Sequence, residues 1–286
     1  MVSIVIPTFN RGAKIRATLD SALNQTREPL EVLVVDDGST DGTPDWIEAF
    51  YGKRVLLIRQ KNGGVARARN RGWREAKGEW IAFLDHDDRF HLDKLELLAP
   101  LLTSENDVVV PRWREVRGET VERQSPVVSP GDAFGFFFGW NNPLVSMSVP
   151  LVRRAALERV GGFDPRCAPA DDWDVWLRLA SSGARFAWSD LALTDYALHD
   201  EQQRANVRAM FRGVRRVLWK HPVALARKPI MLWWLVWSGA FVPSIPAYER
   251  FGRGERGAIG QALRAHPLSL LSPQWVAAVG KRVVGR

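Results

Sequence analysis

The residues 85 to 88 read Asp-His-Asp-Asp, three carboxylates in four positions at the end of an apolar run. Like charges this close disfavour one another's ionised forms, so the cluster calls for a cation. Asp85 and Asp87 lie two apart on an extended segment and can face the same side. Oxygen ligands in an open loop suit Mg²⁺ or Mn²⁺, which complete their shell with substrate phosphates and water. The chemistry implied is capture of a diphosphate through a divalent ion. Asp88, ahead of "RFHLDKLELL", can instead cap the next helix.

Three further stretches can act with it. "NGGVARARNRG" runs from two glycines into a helical pattern, so backbone N–H groups of its first turn, with Arg67, Arg69 and Arg71 nearby, form an anion site suited to a diphosphate. A solvated basic helix face is the plainer reading. In "VVDDGSTDGT", Asp36 and Asp37 stand where a strand stops, and a carboxylate there can accept a hydrogen bond from a base or ribose. Ser39, Thr40 and Asp41 can equally form an ordinary turn and cap. In "PADDWDVWLRLASSG", a helix starting at Asp171 or Asp172 puts Asp172, Val175, Trp176 and Leu179 on one face. An inward-pointing Asp172 has its ionised form disfavoured and becomes a better proton acceptor, unless it is only an N-cap.

The elements that must position these groups alternate. Residues 2–7, 30–36, 54–58, 79–85 and 107–111 are short β-branched runs that read as strands buried on both faces. Helical patterns lie between them, as with Ile15, Leu19, Ala22 and Leu23. The sheet is therefore expected to be mostly parallel and flanked by helices, an α/β fold whose ligands gather beyond the carboxyl ends of the strands. After Pro111 the rhythm changes. A hairpin is expected around Gly118, a strand in "NPLVSMSVP", and a short helix in "RRAALERV" ended by Gly161 and Gly162.

Composition bounds the rest. At 286 residues, 46% hydrophobic and 25% charged, the chain is long enough for one large core or two modest ones. The formal charge of +8 is uneven: from Arg204 onward 15 Lys and Arg face only Glu249 and Glu255, which leaves the first 203 residues at −5. An acidic body carries a basic tail. Cys167 is the single cysteine, which excludes an internal disulfide and fits a reducing compartment. The N-terminal apolar run is too short for a secretory leader, so a cytosolic start is expected.

"VSIVIPTFNR", "VVDDGSTDGT", "NGGVARARNRG", "IAFLDHDD" and "GGFDPRCAPADDWDVWLRLASSG", in this order, resemble the family 2 glycosyltransferases, inverting enzymes of the GT-A fold. The resemblance spans about residues 1 to 200. It implies a catalytic domain over 1–203 that uses a nucleotide-sugar donor, a UDP-sugar first, with Mn²⁺ or Mg²⁺. Pro7, Thr8 and Asn10 match the loop lining the nucleotide pocket, Asp37 the carboxylate that reads the base, and Gly64, Arg69 and Asn70 the segment near the nucleotide. Asp85 and Asp87 match the metal-binding D-x-D, with Asp85 also at the donor. Asp172 matches the general base of a Glu-Asp pair that is Asp171-Asp172 here, so either Asp can be the base. His199 resembles a His that approaches the diphosphate or metal. Trp140, Asn141 and Asn142, with Trp173, are candidate acceptor contacts.

Residues 204–286 are expected to be a helical tail. Ile230 to Val242 is mostly apolar but spans 13 residues, against about 20 for a crossing helix. Flanking cations and Trp219, Trp233, Trp234 and Trp237 fit a helix lying in the interface of an anionic membrane, or a re-entrant one broken near Pro243 and Pro246, on the inner face of the plasma membrane. A core or dimer helix is the plainer reading. The acceptor is expected to be a cell-envelope glycan or a lipid-linked molecule. Rival readings are an inactive glycosyltransferase-like binding protein and a basic nucleic-acid binder. Against the latter, the cations flank an apolar plug instead of interleaving aromatics along a groove, so no nucleic-acid partner is expected. A phosphoryl-transfer enzyme is disfavoured by the lack of G-x-x-x-x-G-K-[ST].

Overall fold

A computed structural model describes residues 1–127, 146–198 and 207–221, together with Gly131, Ala133, Leu144, Ile259 and Gln261. The chain divides into two compact units, Met1–Gln203 and Arg204–Arg286.

In the first unit, β1 (Val2–Thr8), β2 (Glu31–Asp36), β3 (Leu56–Arg59) and β4 (Trp80–Phe83) form a parallel half-sheet in the order β3-β2-β1-β4. Their connections carry α1 (Arg16–Leu23), α2 (Thr43–Tyr51) and α3 (Val65–Glu75). β1, β2 and β4 are buried along nearly their whole length, as their β-branched runs require. β3 departs from expectation: it is an edge strand, with Leu56 and Arg59 exposed. Its outer edge is open because the next strand in the chain crosses back to pair with β1 instead of extending the sheet on that side.

Beyond β4 the sheet turns mixed. β8 (Leu151–Arg153) pairs antiparallel with β4 and with β6 (Val108–Arg117), and β9 (Phe186–Ala197) runs parallel to β6. β5 (Arg89–Phe90) pairs with β9, and β7 (Thr120–Gln124) closes the hairpin on β6, with Gly118 at φ +60° in its turn. α4 (Lys94–Leu98), α5 (Arg154–Val160) and α6 (Asp171–Ser181) complete this part. The expected strand in "NPLVSMSVP" is a correction. Its described residues from Ser146 to Pro150 are turn, and the strand is the next three residues. Ser146 and Ser148 turn their hydroxyls onto acidic side chains, which keeps that backbone off the ladder.

Ile15, Leu19 and Ala22 of the α1 region are fully buried against the β1 side of the core, as their spacing predicts. Gly72 lets α3 lie directly on the sheet, since a Cβ there would press on the Val5 and Val35 side chains. In the second unit, α7 (Val207–Lys220) buries Val217 and Leu218 and exposes Trp219.

Candidate active site

β1 and β4 are neighbours although β2 and β3 intervene in the chain, so strand order reverses at β1. Loops leaving the two strands diverge there and open a crevice, the usual place for a ligand in such a sheet. Pro7, Thr8, Asp37, Val65 and His86 help line a cleft of about 80 Å³ at that point. Asn10, at φ +50°, holds the facing loop: its N–H donates to Ser39 Oγ at 2.8 Å and its Oδ1 accepts from Thr40 N at 2.8 Å. Its role in the structure is to set the Gly38–Asp41 turn from an exposed position.

The glycine turn before α3 is not the open anion site expected of it. Asp37 Oδ1 accepts from Gln60 Nε2 at 2.7 Å and Gly63 N at 2.9 Å, and its Oδ2 from Gly64 N at 2.7 Å. The anion at these N–H groups is the chain's own carboxylate, 4% exposed. A carboxylate has about four lone-pair sites, so Oδ2 retains capacity for one more donor from the cleft.

Arg69 does not face solvent either. Its guanidinium bridges Asp85 Oδ1 at 2.7 Å and Asp171 Oδ2 at 3.2 Å, and lies 5.6 Å from the centre of the Phe163 ring. Arg71 pairs with Glu75 on the surface instead. Burial pushes Asp85 up, but the charge and hydrogen bond of Arg69 outweigh it and leave Asp85 below the usual carboxylate range. One buried guanidinium thus ties the acidic loop after β4 to the first turn of α6.

Asp88 is not a helix cap, a further correction, because α4 starts only at Lys94. It is buried, its Oδ1 accepts from Ala197 N at 3.1 Å, and its Oδ2 meets Ser146 Oγ at 2.9 Å and Ser148 Oγ at 2.5 Å. Ser146 Oγ also reaches Asp85 Oδ2 at 3.0 Å, and Ser148 Oγ accepts from Asp85 N at 2.9 Å. Two hydroxyl protons cannot serve all three serine–carboxylate contacts, and a proton on Asp88 completes the set. Burial, then repulsion from Asp85 and Asp87, pushes Asp88 up to about 8, in agreement with that count. Asp85, held by Arg69 and Ser146, and the half-buried Asp87 are the two carboxylates of this loop that can add a cation to their partners. Hard oxygen donors at a strand end fit Mg²⁺ or Mn²⁺, although among the described residues no third His, Cys, Asp or Glu ligand joins this pair. The three-ligand group among them is Asp164, Cys167 and Asp174, whose carboxylates already pair with Arg166 and Arg178.

α6 begins at Asp171, and the pair divides its duties. Asp171, not Asp172, is the inward residue: it is 1% exposed and held by Arg69, whereas Asp172 is only partly buried. The helical-face argument placed them the other way because it ignored the pull of a buried guanidinium. Burial, then the neighbouring Asp171 charge, pushes Asp172 up to about 7, which suits a proton acceptor at neutral pH. Trp173 is buried and offers no open ring to an acceptor sugar.

Asn70 is a latch. Its Nδ2 donates to Phe163 O at 2.7 Å, and its Oδ1 accepts from Phe163 N at 2.9 Å and Trp73 Nε1 at 2.9 Å. With every one of these bonds internal, it fastens α3 to the segment before α6 instead of facing the crevice. Gly162, at φ +71°, is required beneath it because a Cβ would come within 2.7 Å of Trp73 Nε1. His199, Trp140, Asn141 and Asn142 lie outside the described residues. Sequence reasoning missed Ser146, Ser148 and the fully buried Lys94, whose type and spacing carry no signal. It also missed Tyr196, which burial and then the charges of Asp88, Asp87 and Asp85 push up to about 12.

A reversed strand order at β1, an acidic loop at the end of β4 and an Asp pair opening a helix are arranged as in the GT-A fold. The sequence model of Glycosyl transferase family 2 matches residues 3–161, and the chain belongs to that family. It is 30% identical over 189 residues to an uncharacterized glycosyltransferase of Rickettsia typhi, covering 62% of this chain and 58% of that one. The chain therefore spans a little over half the length of that relative. Among solved structures, S. aureus TarS in complex with UDP-GlcNAc superposes with a TM-score of 0.60 at 21% identity, covering 98% of this chain and 80% of the other. A mannosyltransferase from Pyrobaculum calidifontis, in complex with GDP-Man and Mn²⁺, gives 0.58 at 23% identity, covering 99% and 86%. At such identities these likenesses establish the fold.

Proposed function

We propose that the chain transfers one hexosyl group from a nucleotide sugar, a UDP-sugar first, to a hydroxyl of a cell-envelope glycan or lipid-linked acceptor, with inversion. The observation that carries this reading is the Arg69 bridge, which gathers the acidic loop and the Asp171-Asp172 pair around one charge. Mn²⁺ or Mg²⁺, held by Asp85 and Asp87, would stabilise charge on the departing diphosphate. Asp172 takes the proton of the acceptor hydroxyl as its oxygen attacks the anomeric carbon. The bond from that carbon to the diphosphate breaks on the opposite face, and its electron pair leaves with the nucleoside diphosphate. Asp171, held by Arg69, orients the helix start, and its charge keeps Asp172 a strong enough base. Asp37 Oδ2, beside the cleft, accepts from the donor base.

The UDP reading draws support from the TarS complex with UDP-GlcNAc, and the metal reading from the Pyrobaculum enzyme's Mn²⁺. Residues 1–203 serve as the catalytic domain and 204–286 as a tail that rests on the anionic inner face of the plasma membrane. Trp219 and the neighbouring Arg212, Arg215 and Arg216 are exposed on α7, a face suited to lipid headgroups. Among the described residues no helix is long and apolar enough to cross a membrane, and the run 230–242 lies outside them. A thermal-shift screen of nucleotide sugars with and without Mn²⁺ tests the reading. A true donor raises the melting temperature by mass action, and indifference to every donor in either condition overturns it.

A further inference from the structure

Lys94 is 0% exposed, an unusual place for an ammonium. Its Nζ donates to Ser148 O at 2.7 Å, Val149 O at 3.0 Å and Thr194 Oγ1 at 2.8 Å, and sits 3.8 Å from the centre of the Phe90 ring. Burial pushes its pKa well below the ordinary value. Three acceptors for three N–H groups nevertheless match the charged form, and we take the ammonium as the state present. Packing alone does not call for it, since an apolar side chain of similar length would fill the same space without desolvating a charge.

What the ammonium holds is informative. Ser148 O and Val149 O belong to the turn that stands off the sheet ladder. Ser148 Oγ from that turn accepts the Asp85 N–H, and Ser146 Oγ reaches Asp85 Oδ2. Phe90 and Thr194, which flank the ammonium, are themselves cross-strand partners in β5 and β9. Lys94 therefore fixes the turn to a rigid strand pair, and the turn fixes Asp85 through both its backbone and its side chain.

We propose that Lys94 is a positioning residue for the cation site: acting through Ser146 and Ser148, it sets the direction in which Asp85 presents its carboxylate to a divalent ion. This rests on the reading of Asp85 and Asp87 as metal ligands. Groups that orient a metal ligand typically cost about 10- to 100-fold in metal affinity when removed.

The test measures Mn²⁺ binding to the full chain by electron paramagnetic resonance of free Mn²⁺, alone and with UDP, at a temperature where circular dichroism shows each variant folded. Lys94→Met and Ser148→Ala are expected to weaken Mn²⁺ about 10- to 100-fold, and the double variant no more than the worse single one. Leu98→Ala removes a fully buried side chain from the same helix and is expected to lower the melting temperature while leaving Mn²⁺ affinity unchanged. If Lys94→Met does not fold, Thr194→Val and Ser148→Ala carry the comparison. Folded variants that bind Mn²⁺ within about twofold of wild type overturn the proposal, as does equal weakening in Leu98→Ala. A wild-type chain that binds no Mn²⁺ in either condition overturns the metal reading itself, and this inference with it.

Discussion

Replacing Arg69 with methionine keeps most of the side-chain volume and removes the charge shared by Asp85 and Asp171. Removing one partner of a buried ion pair costs about 3–5 kcal/mol, because the other charge stays behind without water. Asp171, 1% exposed, has no solvent to turn to, whereas the Asp85 side chain is 22% exposed and recovers some hydration. The lower part of the range is therefore expected, about 3–4 kcal/mol. For a unit of 203 residues, each kcal/mol shifts the melting temperature by about 2–4 °C, giving a drop of about 6–16 °C. The loss depends on pH with a definite sign. Burial already holds Asp171 above the ordinary carboxylate value with Arg69 present. Without Arg69 it rises further and Asp85 loses the charge that holds it down, so the fold binds more protons than the unfolded chain and stability falls as pH rises. The deficit against wild type is thus widest near pH 8 and narrows toward pH 5. Thermal melts of both proteins across that interval measure it. A variant within about 1 kcal/mol of wild type at pH 8, with a deficit that does not change with pH, would refute the bridge as an energetic feature.

Three more outcomes are expected. Asp172→Asn abolishes transfer while nucleotide-sugar binding, read by calorimetry, stays within a few fold; a fully active variant moves the base elsewhere. Because the base must be ionised and Asp172 sits at about 7, the rate should climb as pH rises through about 7 and fall about tenfold per pH unit well below it. A flat profile from pH 5 to 8 contradicts that assignment. Gly162→Ala forces a Cβ onto Asn70 and Trp73 at positive φ and should lower stability by more than about 1 kcal/mol, which chemical denaturation reads; an unchanged midpoint removes the latch from the account.

Much of the first half was legible because period and burial agree there: the runs at β1, β2 and β4 have no polar face to misplace. β3 was read as fully buried because its Leu-rich run hides that it borders solvent. The turn at 146–150 looked like a strand because alternation of Ser with Met and Val mimics period two, and only a contact 60 residues away in sequence, Ser148 with Asp88, explains its departure. The same limit applies to direction. Arg69, Gly72 and Trp73 share a helical face that is buried throughout, a spacing available in the sequence, yet what Arg69 would meet there lies 102 residues on at Asp171. The internal bonds of Asp37 and Asn70 are hidden for the same reason, since neither Gly63 and Gly64 nor Phe163 announces itself as a hydrogen-bonding partner.

The Asn70 clasp has a bearing on how such a chain can vary. Because one amide grips both the N–H and the carbonyl of Phe163, the spacing between α3 and the segment leading into α6 is fixed across space as well as along the chain. The helix that opens with Asp171 and Asp172 is thereby seated by a contact 93 residues long in sequence, and a change at either end of the clasp is felt at the Asp pair even though neither end carries a charge.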